Sequence, residues 1–222
     1  RVWNYSPDVL QSDDLLSAFG ITGKGVVLGI MDIGFDLTHP TFYSSDMQDY
    51  RIKSFWDMID RTSGGTAVTG LDTTYVGRQY TDRESLLSKQ HSYDAFLSQH
   101  GTHTLGIAAG SGAPMFQADG SPLFRGIAFD SDLCLVSNAT ASDADSIPEE
   151  MQSLYTTALD LLGFKYIFDY AERHSMPCVI SFSEGSRPDF YGQDVLYREA
   201  LSSMFGKGRI MVASAGNDGA SY

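Results

Sequence analysis

An alternation of short apolar runs with helical stripes most constrains the fold of this chain. Continuous apolar runs of this length, bounded by turn residues, are typical of strands that are buried on both faces of a sheet. Five such runs occur, in the order GVVLGIMD (25–32), RIKSFWDM (51–58), DLCLVSN (132–138), PCVISFS (177–183) and GRIMVASAGN (208–217).

Two helical stripes separate the last three of these runs. The first consists of Leu159, Leu162, Tyr166, Ile167, Tyr170 and Ala171, and the second of Leu196, Ala200, Leu201, Met204 and Phe205. Strands that alternate with helices favour right-handed crossovers. The pattern therefore predicts an α/β fold with a doubly wound, mostly parallel sheet and helices on both faces. We expect the chemistry to lie at the carboxyl ends of the strands.

Charge and hydropathy exclude several classes of partner. Lys and Arg number 15 against 28 Asp and Glu, which gives a net charge of −13 over 222 residues. An anionic phosphate backbone would be repelled by this chain, so we predict no nucleic-acid partner. No apolar run approaches the ~18 residues of a membrane helix, and no leader pattern opens the chain. We therefore predict no membrane span, and we expect any export signal to have been removed.

The two cysteines lie inside apolar runs. Cys134 belongs to DLCLVSN and Cys178 to PCVISFS. A free cysteine in such a place behaves as a small apolar residue, so both are interpreted as buried core thiols.

The segment SQHGTHTLGIAAG (98–110) holds two of the five histidines of the chain. His100 and His103 fit a metal pair on a helix, an acid/base residue with a structural companion, or two unrelated surface residues. A metal pair needs further ligands, and no nearby cluster of Cys or His supplies them.

Three polar residues fall where an active site of this fold is expected. Asp32 ends the first predicted strand, His100 opens a helix, and Asn217 follows the fifth strand. Singly, the carboxylate and the amide also fit turn residues. Together they are the parts of an acyl-transfer site, in which Asp orients His, His takes a proton, and Asn binds an oxyanion.

Five motifs then occur in an order that resembles the subtilisin-like serine peptidases. They are IMDIGFDLTHP, HGTHTLG, RGIAFDSDL, CVISFSEGS and MVASAGNDG. The resemblance implies that His100 is the catalytic base, that Asp32 orients it, and that Asn217 is the oxyanion donor. It leaves His103 as a structural residue, on a helix whose LGIAA continuation we expect to be buried.

The resemblance also implies which segments bind a polypeptide substrate. Backbone atoms of Ser183, Glu184 and Gly185 would bind the substrate main chain as an added strand. Ser214, Ala215 and Gly216 would form a wall of the primary specificity pocket. Glu184 replaces a residue that is commonly apolar, and its side chain is either solvated or favours a basic group on the substrate.

Departures from the family pattern affect loops and metals. Long intervals predict surface insertions at about 57–98 and 139–156. Thr41 stands where compact members carry a calcium-binding aspartate, which puts that calcium site in doubt. We therefore predict no required cofactor and assign no metal ligand, while calcium elsewhere stays open.

The nucleophile of the family lies in a Gly-Thr-Ser-Met-Ala type of motif, which these residues do not contain. Ser221 follows Asn217 by four positions and precedes no strand-to-helix element, so it is not assigned the role. Residues 1–222 are therefore predicted to be a partial catalytic domain, lacking the carboxy-terminal part that carries the nucleophile and inactive alone. The alternative is a non-catalytic relative that binds peptide in the same cleft. The resemblance implies an extracytoplasmic, secreted location.

Overall fold

A computed structural model describes residues 19–70, 73–94, 99–116, 118–120, 124–183, 192 and 194–216. The strands in these ranges are β1 (Val27–Asp32), β2 (Ile52–Asp57), β3 (Thr69–Gly70), β4 (Thr73–Thr74), β5 (Arg78–Tyr80), β6 (Asp132–Ser137), β7 (Cys178–Phe182) and β8 (Arg209–Ala213). The α-helices are α1 (Arg83–Lys89), α2 (His100–Ala109), α3 (Glu149–Gln152), α4 (Ala158–Arg173) and α5 (Val195–Met204), and 3₁₀ helices span Pro40–Phe42 and Ala141–Ser146.

Six of the strands form one sheet in the order β5-β2-β6-β1-β7-β8. Within this sheet β2, β6, β1, β7 and β8 pair in parallel with their neighbours. The edge strand β5 pairs antiparallel with β2. Each of the five predicted strands corresponds to one parallel strand. The α/β prediction is therefore confirmed, and the carboxyl ends of β1 and β6 meet where Asp32 pairs in register with Ser137.

Helices cover both faces of the sheet because side chains alternate along each strand. Met31 and the other residues on its face of β1 pack with α4, while Leu28 and Ile30 pack with α2 and α1 on the opposite face. Gly29 lets α4 approach closely, since a Cβ at this position would lie 2.3 Å from Cγ2 of Ile167.

The interpretation of the cysteines is also confirmed. Cys134 and Cys178 are free thiols on β6 and β7, the two buried strands that flank β1, with 0% and 1% of their surface exposed. Burial raises the pKa of Cys178 to about 12 and raises that of Cys134 as well. Both thiols therefore stay protonated at neutral pH and act as apolar core residues.

The segment predicted as a surface insertion at 57–98 contributes to the core where it is described. Met58, Val76, Tyr80 and Leu86 are buried in it. That it is an insertion relative to compact family members stays a prediction. Throughout the described ranges, no helix is both long and apolar enough to cross a membrane.

Candidate active site

Asp32 and His100 form a hydrogen-bonded pair at the carboxyl edge of the sheet. Asp32 is the last residue of β1, and His100 is the first residue of α2. The Nδ1 atom of His100 lies 2.7 Å from Oδ1 of Asp32. The Asp32 side chain is 3% exposed and that of His100 is 49% exposed. A buried carboxylate therefore holds one ring nitrogen, while the imidazole stays open to solvent.

Two further donors fix the Asp32 carboxylate. The N–H of Ile33 donates to Oδ1 at 2.7 Å, and the Thr104 hydroxyl donates to Oδ2 at 3.0 Å. Thr104 lies four residues after His100, so both side chains project from the same face of α2. The sequence analysis missed Thr104, although this i,i+4 spacing was a signal that could have found it.

The start of α2 is docked onto the loop that follows Asp32. The N–H of Gly101 donates to the carbonyl of Ile33 at 2.6 Å, and the N–H of Thr102 donates to that of Gly34 at 3.1 Å. The first N–H groups of a helix have no partner within it, so these carbonyls satisfy them and fix the position of His100.

Glycine is required at two points of this junction. Gly34 has φ +75°, a left-handed conformation that side chains rarely adopt. Gly101 lies so close to the loop that a Cβ there would be 2.8 Å from the Phe35 ring and 2.9 Å from the carbonyl oxygen of Ile33. The glycines next to the two candidate catalytic residues therefore allow the close approach that their hydrogen bond needs.

A cleft of about 940 Å³ opens beside the pair. This volume lies at the upper end of the range for ligand-binding pockets. Asp32 and His100 line it together with Ser183 at the end of β7. Ile147 and Tyr155, from the second predicted insertion, form part of its wall.

Asn138 and Asp160 bring a second polar group into the cleft. The Nδ2 of Asn138 donates to Oδ1 of Asp160 at 3.3 Å, and both residues line the same wall. The backbone N–H of Asn138 also donates to the carbonyl of Asp32 at 2.9 Å. Neither residue was predicted as part of the site, although Asn138 ends the predicted strand DLCLVSN, at the carboxyl edge where the site was expected.

The structure describes some of the residues that were predicted to bind substrate. Ser183 and Ser214 are exposed at the ends of neighbouring strands, and the N–H of Ser214 donates to the carbonyl of Phe182 at 3.0 Å. Ala215 and Gly216 follow and are exposed. Asn217, Glu184 and Gly185 lie outside the described residues, so their predicted roles stay predictions.

The expectation that the LGIAA continuation of α2 is buried is correct for Leu105 and Ala109 and wrong for Ile107. His103 is exposed, and Ile107 is 45% exposed. The helix instead buries Gly101, Leu105 and Ala109, which repeat every four residues along one face. His103 and Ile107 lie on the opposite face and do not contribute to this packing.

A buried guanidinium lies beside Thr41. Arg51 is 2% exposed, and it donates to the backbone carbonyls of Thr41, Tyr43, Ala109 and Ser131. Burial lowers the pKa of Arg51 to about 10, with nearby aspartates opposing the shift, so the group remains cationic at neutral pH. Backbone carbonyl oxygens also bind hard cations such as calcium. Here these four carbonyls bind the Arg51 guanidinium.

No group of three or more His, Cys, Asp or Glu residues that could hold a metal ion occurs in the part of the chain that the structure describes. The prediction that no cofactor is required is not tested by this geometry and stays a prediction.

A comparison with protein families identifies the family of this chain. The model of the subtilase family matches residues 23–222. The chain belongs to the subtilase family. A search of curated proteins finds no match.

Solved structures of subtilisin-like proteases share the fold. The CspB protease of Clostridium perfringens is 22% identical with a TM-score of 0.65, and the match covers 96% of this chain and 42% of CspB. Sphericase is also 22% identical, with a TM-score of 0.53, and the match covers 89% of this chain and 48% of sphericase. The chain thus spans less than half the length of these two proteins.

Proposed function

We propose that this chain is the Asp- and His-bearing part of a serine endopeptidase that cleaves polypeptides by acyl transfer. The observation that carries the proposal is the 2.7 Å contact between the buried Asp32 carboxylate and the half-exposed His100 ring, beside an open cleft. Membership of the subtilase family supports the same chemistry. We propose that the nucleophilic serine belongs to a longer parent chain, outside residues 1–222.

In this mechanism His100 is the general base. The Asp32 contact at Nδ1 leaves Nε2 to take the proton of the attacking serine hydroxyl and later to deliver it to the leaving amine. Asp32 holds the required tautomer and stabilises the imidazolium that forms during attack. The side-chain N–H of Asn217 would donate to the oxyanion of the tetrahedral intermediate.

Polypeptide binding would use the strand ends that border the cleft. We propose that the substrate adds as an extended strand along residues 183–185 and that residues 214–216 form the opposite wall. The ends of β7 and β8 support this placement, because Ser183 and Ser214 are exposed there. An extracytoplasmic location accompanies this proposal, on the basis of the family alone.

Active-site labelling tests the proposed function. A serine-directed fluorophosphonate should label the parent chain stoichiometrically, because the neutral base activates the serine hydroxyl. Parent His100→Ala should label far more slowly, and the 222-residue chain should not label. A folded parent that resists the reagent would contradict the proposal and favour a peptide-binding relative without catalysis. Labelling of the 222-residue chain at Ser221 would show that the nucleophile has been placed wrongly.

A further inference from the structure

Residues 90–94, after α1, run alongside the loop that follows the catalytic strand. The N–H of Leu37 donates to the carbonyl of Gln90 at 2.7 Å, and Ser92 exchanges hydrogen bonds with Phe35 through its N–H and its hydroxyl. His91 and Asp36 form an antiparallel bridge between these contacts. The segment therefore holds the loop after Asp32 along most of its length.

Asp94 ends this contact with a carboxylate directed at the catalytic turn. The backbone N–H of Gly34 donates to its Oδ2, and the Ser92 hydroxyl donates to its Oδ1 at 2.6 Å. The Ser137 hydroxyl lies 3.4 Å from Oδ2, at the end of β6 and in register with Asp32. Asp94 thus joins the turn after β1 to the neighbouring strand end.

The peptide group between Ile33 and Gly34 connects Asp94 to the catalytic histidine. Its N–H donates to Asp94, and its carbonyl accepts the N–H of Gly101, the residue after His100, at 2.6 Å. A hydrogen bond to an ionised acceptor is roughly twice as strong as a neutral one. It also polarises the peptide, which strengthens the bond that the carbonyl accepts.

We propose that Asp94 is a positioning residue for the Asp32–His100 pair. It acts through the Ile33–Gly34 peptide, which fixes the start of α2 relative to the end of β1. A segment expected only as a surface insertion thereby contributes to the geometry of the active site. The predicted effect on turnover rests on the proposed function, whereas the effect on the Asp32–His100 hydrogen bond does not.

The test compares Asp94→Asn with Asp46→Asn in the parent chain. Asp46 is a matched control, because it is exposed and also accepts a serine hydroxyl and a backbone N–H, from Ser44 and Gln48. The first readout is the low-field NMR resonance of the His100 Nδ1 proton, which reports the hydrogen bond to Asp32. The second is the separation of kcat from KM on a peptide substrate.

We expect Asp94→Asn to shift or broaden the His100 resonance and to lower kcat with little change in KM. A displacement of about 1 Å at an active site costs on the order of 10²-fold in rate, which sets the size of the expected loss. Asp46→Asn should change neither readout. If Asp94→Asn does not fold, Ser137→Ala, which removes the hydroxyl donor to Oδ2 of Asp94, should shift the resonance in the same direction and by less.

A folded Asp94→Asn protein with unchanged resonance and unchanged kcat would overturn the inference, even if its melting temperature fell. A changed resonance in a parent chain without peptidase activity would support the positioning role and count against the proposed function instead.

Discussion

The Nδ1 atom of His100 lies 2.7 Å from Oδ1 of Asp32, although the two residues are 68 positions apart in the sequence. They meet because β1 ends and α2 begins at the same edge of the sheet, where the carbonyls of Ile33 and Gly34 accept the first N–H groups of α2. The orientation of the ring thus follows from backbone contacts as well as from the Asp32 carboxylate.

Replacing Asp32 with Asn in the parent chain should lower kcat by several orders of magnitude. The amide cannot hold the required tautomer of His100, and the same change costs on the order of 10⁴ in another triad enzyme. Asp36→Asn is the control, since the Asp36 carboxylate accepts hydrogen bonds from the N–H and the hydroxyl of Thr38, two residues away. The measurement is kcat of both variants on the same peptide substrate. Equal losses of kcat in the two variants would count against a catalytic role for Asp32.

Gly101→Ala should lower the free energy of unfolding by about 1–3 kcal/mol, as overpacking in a core does. The new methyl group would press on the Phe35 ring and the Ile33 carbonyl. Gly106→Ala is the matched control for Gly101→Ala, because Gly106 lies in the same helix and a Cβ there would meet nothing within 4 Å. It should be neutral or stabilise by up to about 1 kcal/mol. Urea unfolding of both variants measures this, and a Gly101→Ala variant as stable as Gly106→Ala would refute the close docking of α2.

The sequence predicted the sheet, its main helices and the Asp32–His100 pair well, because apolar runs and a motif at a strand end are local signals. Asp94 and Arg51 could not be predicted in this way. Asp94 binds the N–H of Gly34 across 60 positions, and the Arg51 guanidinium reaches Ala109 across 58. Contacts of this kind depend on the path of the loops, which no periodicity records.

The burial of Ile107 was mispredicted for a different reason. The helix HGTHTLGIAA is rich in glycine, alanine and threonine, so its apolar face is weakly marked in the sequence. From the sequence, either Leu105 or Ile107 could face the core. The docking of Gly101 against Phe35 determines which of the two is buried. Leu105 is buried as a result, on the same face as Gly101.

Arg51→Met should lower the free energy of unfolding by at least about 2 kcal/mol. Four backbone carbonyls lose a buried donor, and each unsatisfied buried group costs roughly 1–3 kcal/mol. Arg51→Lys, which keeps the charge and some donors, should lie between Arg51→Met and the unsubstituted protein. Arg83→Met is the control, since Arg83 is exposed and lies over the ring of Tyr43. An Arg51→Met loss no larger than that of Arg83→Met would contradict the structural role of the guanidinium.

Asp57 should make stability fall with rising pH across a defined window. Burial raises the pKa of Asp57 to about 6, although Lys89 lies 3.1 Å away and opposes the shift. In the unfolded chain the value is about 3.9, so between about pH 4 and pH 6 the folded state binds more protons at this site. The contribution of Asp57 to the free energy of unfolding is therefore highest below this window and lost as pH rises through it.

The measurement compares Asp57→Asn with the unsubstituted protein by urea unfolding from pH 4 to pH 7. Relative to that protein, Asp57→Asn should gain stability as the pH rises. Asp49→Asn, which breaks an exposed pair with Lys53, corrects for general charge effects. A relative stability of Asp57→Asn that is constant or falls over this range would show that folding does not raise the pKa of Asp57.

The most direct test of the central claim is the turnover of parent His100→Ala beside parent His103→Ala, each corrected for the folded fraction. His100→Ala should lose turnover by several orders of magnitude, because it removes the group that we propose takes the proton of the serine hydroxyl. His103→Ala should retain turnover, since the His103 side chain lies on the exposed face of α2, away from the face that packs on the loop after Asp32. A fully folded His100→Ala protein that keeps its turnover, while His103→Ala loses it, would contradict the assignment of His100 as the catalytic base.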